Sequence, residues 1–151
     1  MGDDPPKPRN RLGADELLEE THNAVFKVIS LLERNGLAAE SVDHLKSMDQ
    51  GLDFMSALNL GQSLGLTMPS LPHGELMVLL LDAWECVATM KGNVRKQMYR
   101  KVRVLEADTK TEPEILDRWK GEREKAERES ARANISFITT NQILKALTEE
   151  E

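Results

Sequence analysis

Leu18, Thr21, Val25, Val28 and Leu32 recur at alternating steps of three and four residues, with Leu17, Ala24 and Ile29 widening the stripe. That is the period of one face of an α-helix, and a chain that repeats it in several segments must pack helices against one another. Asn35-Gly36 supplies a C-terminal stop, so a first helix is expected from about residue 14 to this pair. A second series, Val42, Leu45, Met48, Leu52, Met55 and Leu58, keeps the spacing across Gly51 and predicts a helix antiparallel to the first. Gly61, Gly65, Pro69 and Pro72 then crowd together and mark a loop over 61–73.

From Glu75 onward, Leu76, Leu80, Trp84, Val87, Met90, Val94, Met98, Val102 and Leu105 describe one drifting stripe, a helix to about Ala107 with Gly92-Asn93 as its weakest point. Thr111, Pro113 and Glu114 read as a capping-box start with proline in the first turn, opening a helix from about Glu112. Over 122–132 acids and bases alternate, placing Arg123 and Glu127, Glu124 and Arg128, and Lys125 and Glu129 at ion-pair spacing. Only Trp119, Ala126 and Ala133 recur on one side of this helix. It reads either as a solvated projection or as one strand of a weak coiled coil. Behind it, Ile135, Phe137, Ile138, Ile143, Leu144 and Leu147 form an apolar end, either a docking point or a segment that folds back to complete the core.

The 151 residues suit one domain, and a hydrophobic content of 40% with only 4% aromatic residues suits helix packing more than a sandwich or barrel. The expected fold is all-α, an antiparallel helical bundle with a charged C-terminal helical arm. Residues 1–13, proline-bearing and charged, are expected as a disordered tail, 14–108 as the bundle and 109–151 as the arm.

Enzymatic machinery is hard to assemble from this chain. Gly61-Gln62-Ser63-Leu64-Gly65 matches the nucleophile-elbow pattern, but helical sequence precedes it, Pro69 and Pro72 stand where a helix should begin, and no acid lies between Ser63 and His73. His22, His44 and His73 are too far apart for any two to share a helical turn, and the single cysteine, Cys86, allows neither an intrachain disulfide nor a cysteine-built zinc cage. Neither GxxxxGK[ST] nor GxGxxG occurs. No catalytic residue, metal or cofactor is therefore expected. The opening residues lack the apolar core of a signal peptide, and the longest apolar run, 76–81, is about a third of the ~20 residues a membrane span needs. Asn134-Ile135-Ser136 fits the glycosylation pattern without a secretory signal to go with it. A reducing compartment, cytoplasmic or nuclear, and no membrane contact are the expectations.

One constellation points to function. Between Glu85 and Glu106 there is no acid but six cations, so a chain of net charge −6 is +6 here and −12 elsewhere. On a regular helix Arg95, Lys96, Tyr99, Arg100 and Arg103 share the side opposite Met90, Val94, Met98 and Leu105, and with Lys91 they give a broad cationic face as the candidate partner-binding surface. Such a face usually meets something acidic, a protein partner, a second copy in a homo-oligomer or the acidic flanks of the same chain, and the plain alternative is a solvated face. The expected function is that of a non-enzymatic adaptor or assembly protein, with the basic face selecting the partner and the apolar end at 135–147 anchoring it. The alternative is a small helical nucleic-acid-associated protein of nucleocapsid type, with the cations on phosphates and Tyr99 stacked on an unpaired base. A pI near 5.2 weighs against it.

Overall fold

The computed structural model of the chain describes residues 8–36, 40, 43, 55 and 72–149. They form helices α1 (Ala14–Arg34), α2 (His73–Ala107) and α3 (Pro113–Glu149), preceded by a 3-10 turn at Arg9–Arg11. No strand occurs among the described residues, and the fold is an all-α helical bundle. α2 and α3 are the two arms of a long hairpin, and α1 lies against α2.

α1 forms where its apolar period demands. Leu17, Thr21, Ala24, Val25, Val28, Ile29, Leu31 and Leu32 are buried, whereas Leu18 is exposed, so the buried stripe sits slightly round the helix from the one read in the sequence. The buried hydroxyl of Thr21 donates to the Leu17 carbonyl at 2.7 Å, which removes the cost of an unpaired polar group in the core. At the C-terminus the Asn35 side-chain amide donates to the Leu31 carbonyl at 2.7 Å, and Gly36 takes φ +110°. Only glycine adopts that conformation cheaply, which is why the helix ends at the expected pair. Of the second expected helix, only Asp43 and Met55 belong to the described residues; both are helical, and Met55 is fully buried in the core. The loop expected over 61–73 and the Ser63 motif lie outside them, apart from Pro72 and His73 at the start of α2.

α2 runs unbroken through Gly92-Asn93, about 50 Å at 1.5 Å per residue. Its N-terminal half gives Leu76, Leu80, Ala83, Trp84 and Val87 to the core shared with α1, and further along Val102 is buried. Gly92 is helical, and a Cβ built there would meet no atom within 4 Å. Gly92→Ala should therefore stabilise the protein by about 1 kcal/mol, seen as a rise of ~2–4 °C in the thermal midpoint by circular dichroism. An unchanged or lower midpoint would show that the helix needs its glycine.

Asp108 builds the reversal between α2 and α3, its carboxylate accepting from the Lys110 N–H at 2.9 Å and its carbonyl from the Thr111 N–H at 3.1 Å. Pro113 is the first residue of α3, and the Glu112 carbonyl accepts from the N–H groups of Ile115 and Leu116. Proline suits this position because its missing N–H would have no helical partner there.

The largest departure from the sequence reading is the course of α3. It does not project into solvent: it folds back antiparallel along α2, and Ala126, Ser130, Ala133 and Thr140 are buried at steps of four, three and seven residues. Ala133 joins the same core as Val28 and Trp84, with Phe137, Ile143 and Leu144 packed at its edge. Small side chains at the seam let two charged helices approach closely, so residue 108 marks a turn inside one packed unit.

Candidate interaction surface

The structure divides the cationic face read from the sequence into an inward and an outward part. Lys91 Nζ lies 3.2 Å from Glu129 Oε2, and Arg95 Nη2 lies 3.8 Å from Glu127 Oε1, both on α3. The ring of Tyr99 carries the guanidinium of Arg95 at 4.9 Å from its centroid and that of Arg123 at 5.2 Å. Nearer the turn, Lys101 stands 5.3 Å from the Trp119 ring, and Lys120 pairs with Glu106 at 3.8 Å. The partner on α3 moves back in number as the residue on α2 moves forward, from 91 with 129 to 101 with 119, the register of an antiparallel hairpin. Exposed pairs of this kind are worth about 0–1 kcal/mol each and cation–π contacts ~0.5–2 kcal/mol. They set register more than they supply stability.

Lys96, Arg100 and Arg103 are exposed and have no ion-pair partner among the described residues. No acid stands within a turn of Lys96 or Arg100 on their own helix, and the one acid within a turn of Arg103, Glu106, pairs with Lys120 on α3 at 3.8 Å. The exposed cations of α3 differ: Arg128 and Lys125 alternate with Glu124, Glu127 and Glu129 on the same helix. The outward row is thus the part of the face with unspent charge.

The apolar end is divided as well. Of the two courses open to it in the sequence, the structure takes the fold-back: Phe137, Ile143 and Leu144 pack against the core. Ile135 and Ile138 face solvent at 64% and 53% exposure, and the Leu147 side chain lies outside the described residues. Of the six, Ile135 and Ile138 are thus the exposed ones, and Phe137 is partly buried. The flank of Phe137, with Glu85, Ala88, Thr89 and Asn134, lines an open groove of about 250 Å³ between α2 and α3.

The sequence reading missed Arg9. Its guanidinium reaches Asp82 at 2.5 Å and Glu85 at 2.8 Å on α2, and its Nε lies 3.8 Å from Glu20 on α1. Partial burial works against the charge, but hydrogen bonds to Asp82 and Glu85 outweigh it, and the group is held protonated even more firmly than an ordinary arginine. The last part of the segment expected as tail, Arg9–Arg11, is thereby clasped to two helices, while residues 1–7 lie outside the described ones. Cys86 is fully buried next to this clasp, and burial pushes its thiol up to about 11 although Arg9 pulls the other way.

Among the described residues no group of histidine, cysteine, aspartate or glutamate side chains is placed to hold a metal, and no helix is long and apolar enough to cross a membrane. Compared with protein-family models, curated proteins and solved structures, the chain finds no match.

Proposed function

We propose that this chain is a non-enzymatic helical docking protein, an adaptor or assembly component that binds an acidic protein partner through Lys96, Arg100 and Arg103. One observation carries the reading: these cations stand exposed and unpaired among the described residues while Lys91, Arg95 and Lys120 on the same hairpin each meet a carboxylate. The nucleic-acid alternative loses its aromatic platform, because the Tyr99 ring already holds Arg95 and Arg123 and a base would have to displace them.

The test is fluorescence anisotropy with a glutamate-rich helical peptide and, in parallel, a single-stranded RNA oligonucleotide. Reversal of Lys96, Arg100 and Arg103 to Glu should weaken peptide binding by at least about tenfold, since charge complementarity is what the row offers. The fold should survive, because exposed substitutions usually change stability by no more than ~0.5 kcal/mol each. Unchanged peptide affinity after reversal would reduce the row to a solvated face. Binding of the RNA alone, with a steep fall as salt rises, would transfer the site to nucleic acid. A salt-sensitive dimer by light scattering, lost on reversal, would make the partner a second copy.

A further inference from the structure

The groove and the unpaired cations lie on one side of the hairpin. Glu85 and Thr89 line the groove, and from them Gly92, Lys96, Arg100 and Arg103 continue along α2 at steps of three and four residues, the spacing of a single helix face. Between groove and cations the row is bare backbone, since a Cβ at Gly92 would touch nothing within 4 Å. The groove's volume of about 250 Å³ falls below the ~300–1,000 Å³ of small-molecule pockets, and its open shape suits one inserted side chain. Its walls are Ala88, Thr89, Asn134 and the flank of Phe137, and the one carboxylate that lines it, Glu85, is bonded to Arg9 at 2.8 Å, a cation it shares with Asp82 and Glu20. With three carboxylates on one arginine this end stays net negative, so it suits an apolar side chain, and a ligand's carboxylates belong at the other end, with the cations.

Resting on the docking function proposed above, we infer that this side of the hairpin is one continuous track for an acidic amphipathic helix of the partner. An apolar anchor of that helix enters the groove beside Phe137, its backbone passes over Gly92, and its carboxylates meet Lys96, Arg100 and Arg103. At 1.5 Å per residue the cations stand about 12–22 Å along α2 from Ala88, so the partner's acids follow its anchor after roughly two to four turns. This is helix-in-groove recognition, with the charge fixing orientation and the anchor supplying affinity.

The experiment uses the full chain and two labelled helical peptides of about twenty residues, both with glutamates two to four turns from the anchor position, which holds Leu in one and Ala in the other. The Leu peptide should bind about tenfold tighter than the Ala peptide, the usual scale for losing a buried anchor. Gly92→Phe, which sets a ring on the track while leaving groove and cations in place, should abolish that advantage, whereas Gly92→Ala should keep it. Circular dichroism of both variants confirms that the helix is intact, and Gly92→Gln serves as the blocking variant if the Phe protein does not fold. Equal binding of the two peptides, still lost on reversal of the cations, overturns the track and leaves the docking function standing. Binding of neither peptide overturns both.

Discussion

Ala133→Asp should unfold the protein or lower its thermal midpoint by about 10 °C or more, while Ile135→Asp, two residues on, should leave the midpoint nearly unchanged. Ala133 is 4% exposed and belongs to the core with Val28, Leu80 and Trp84. A carboxylate placed there loses its water and gains no cation, at a cost on the order of 3–5 kcal/mol. In a chain of this size each kcal/mol moves the midpoint by ~2–4 °C. Ile135 is 64% exposed on the same helix, and its replacement stays within the ~0.5 kcal/mol typical of surface changes. The pair separates two courses for α3 sharply: a solvated arm would tolerate both substitutions equally, and equal midpoints in a melting experiment would refute the hairpin.

That contrast also shows how far the sequence carries. The period of Val25, Val28 and Leu32 is legible because large apolar side chains mark the buried face, and Asn35-Gly36 is legible because few residue pairs end a helix so cheaply. α3 hides its buried face. Ala126, Ser130, Ala133 and Thr140 recur with helical spacing, but small and hydroxyl-bearing side chains carry little hydrophobic signal, and the alternating charges over 122–132 dominate the pattern. Counting small residues as core candidates finds the seam. Even then one helix face does not reveal which helix lies on it, so the division of the cations into Lys91 and Arg95 within and Lys96, Arg100 and Arg103 without emerges only from the register of α2 on α3. The Arg9 clasp is further still from view: its carboxylates, Glu20, Asp82 and Glu85, sit on two different helices and converge only once these pack.

Cys86, beside that clasp, should be silent in the folded protein. At pH 8 Ellman's reagent should modify it at least a hundredfold more slowly in native buffer than in concentrated guanidinium chloride. Burial raises the thiol to about 11, which cuts the thiolate at pH 8 by roughly a hundredfold relative to a free cysteine near 8.5–9. Its position, fully buried in the core between α1 and α2, adds the requirement that the helices first open. The same shift fixes a pH dependence. Because the folded state keeps a proton that the unfolded state releases as pH rises past about 9, this group costs no stability below that pH and lowers it progressively between about 9 and 11. Denaturation midpoints measured across that window should fall, and part of the fall should vanish in Cys86→Ala, which has no proton to lose. Arg9→Met should push the thiol higher still, since the guanidinium is the charge that favours the thiolate. Prompt labelling of the wild-type thiol in native buffer, with circular dichroism unchanged, would mean that Cys86 is open to solvent and that α1 does not cover α2 in the way the clasp requires.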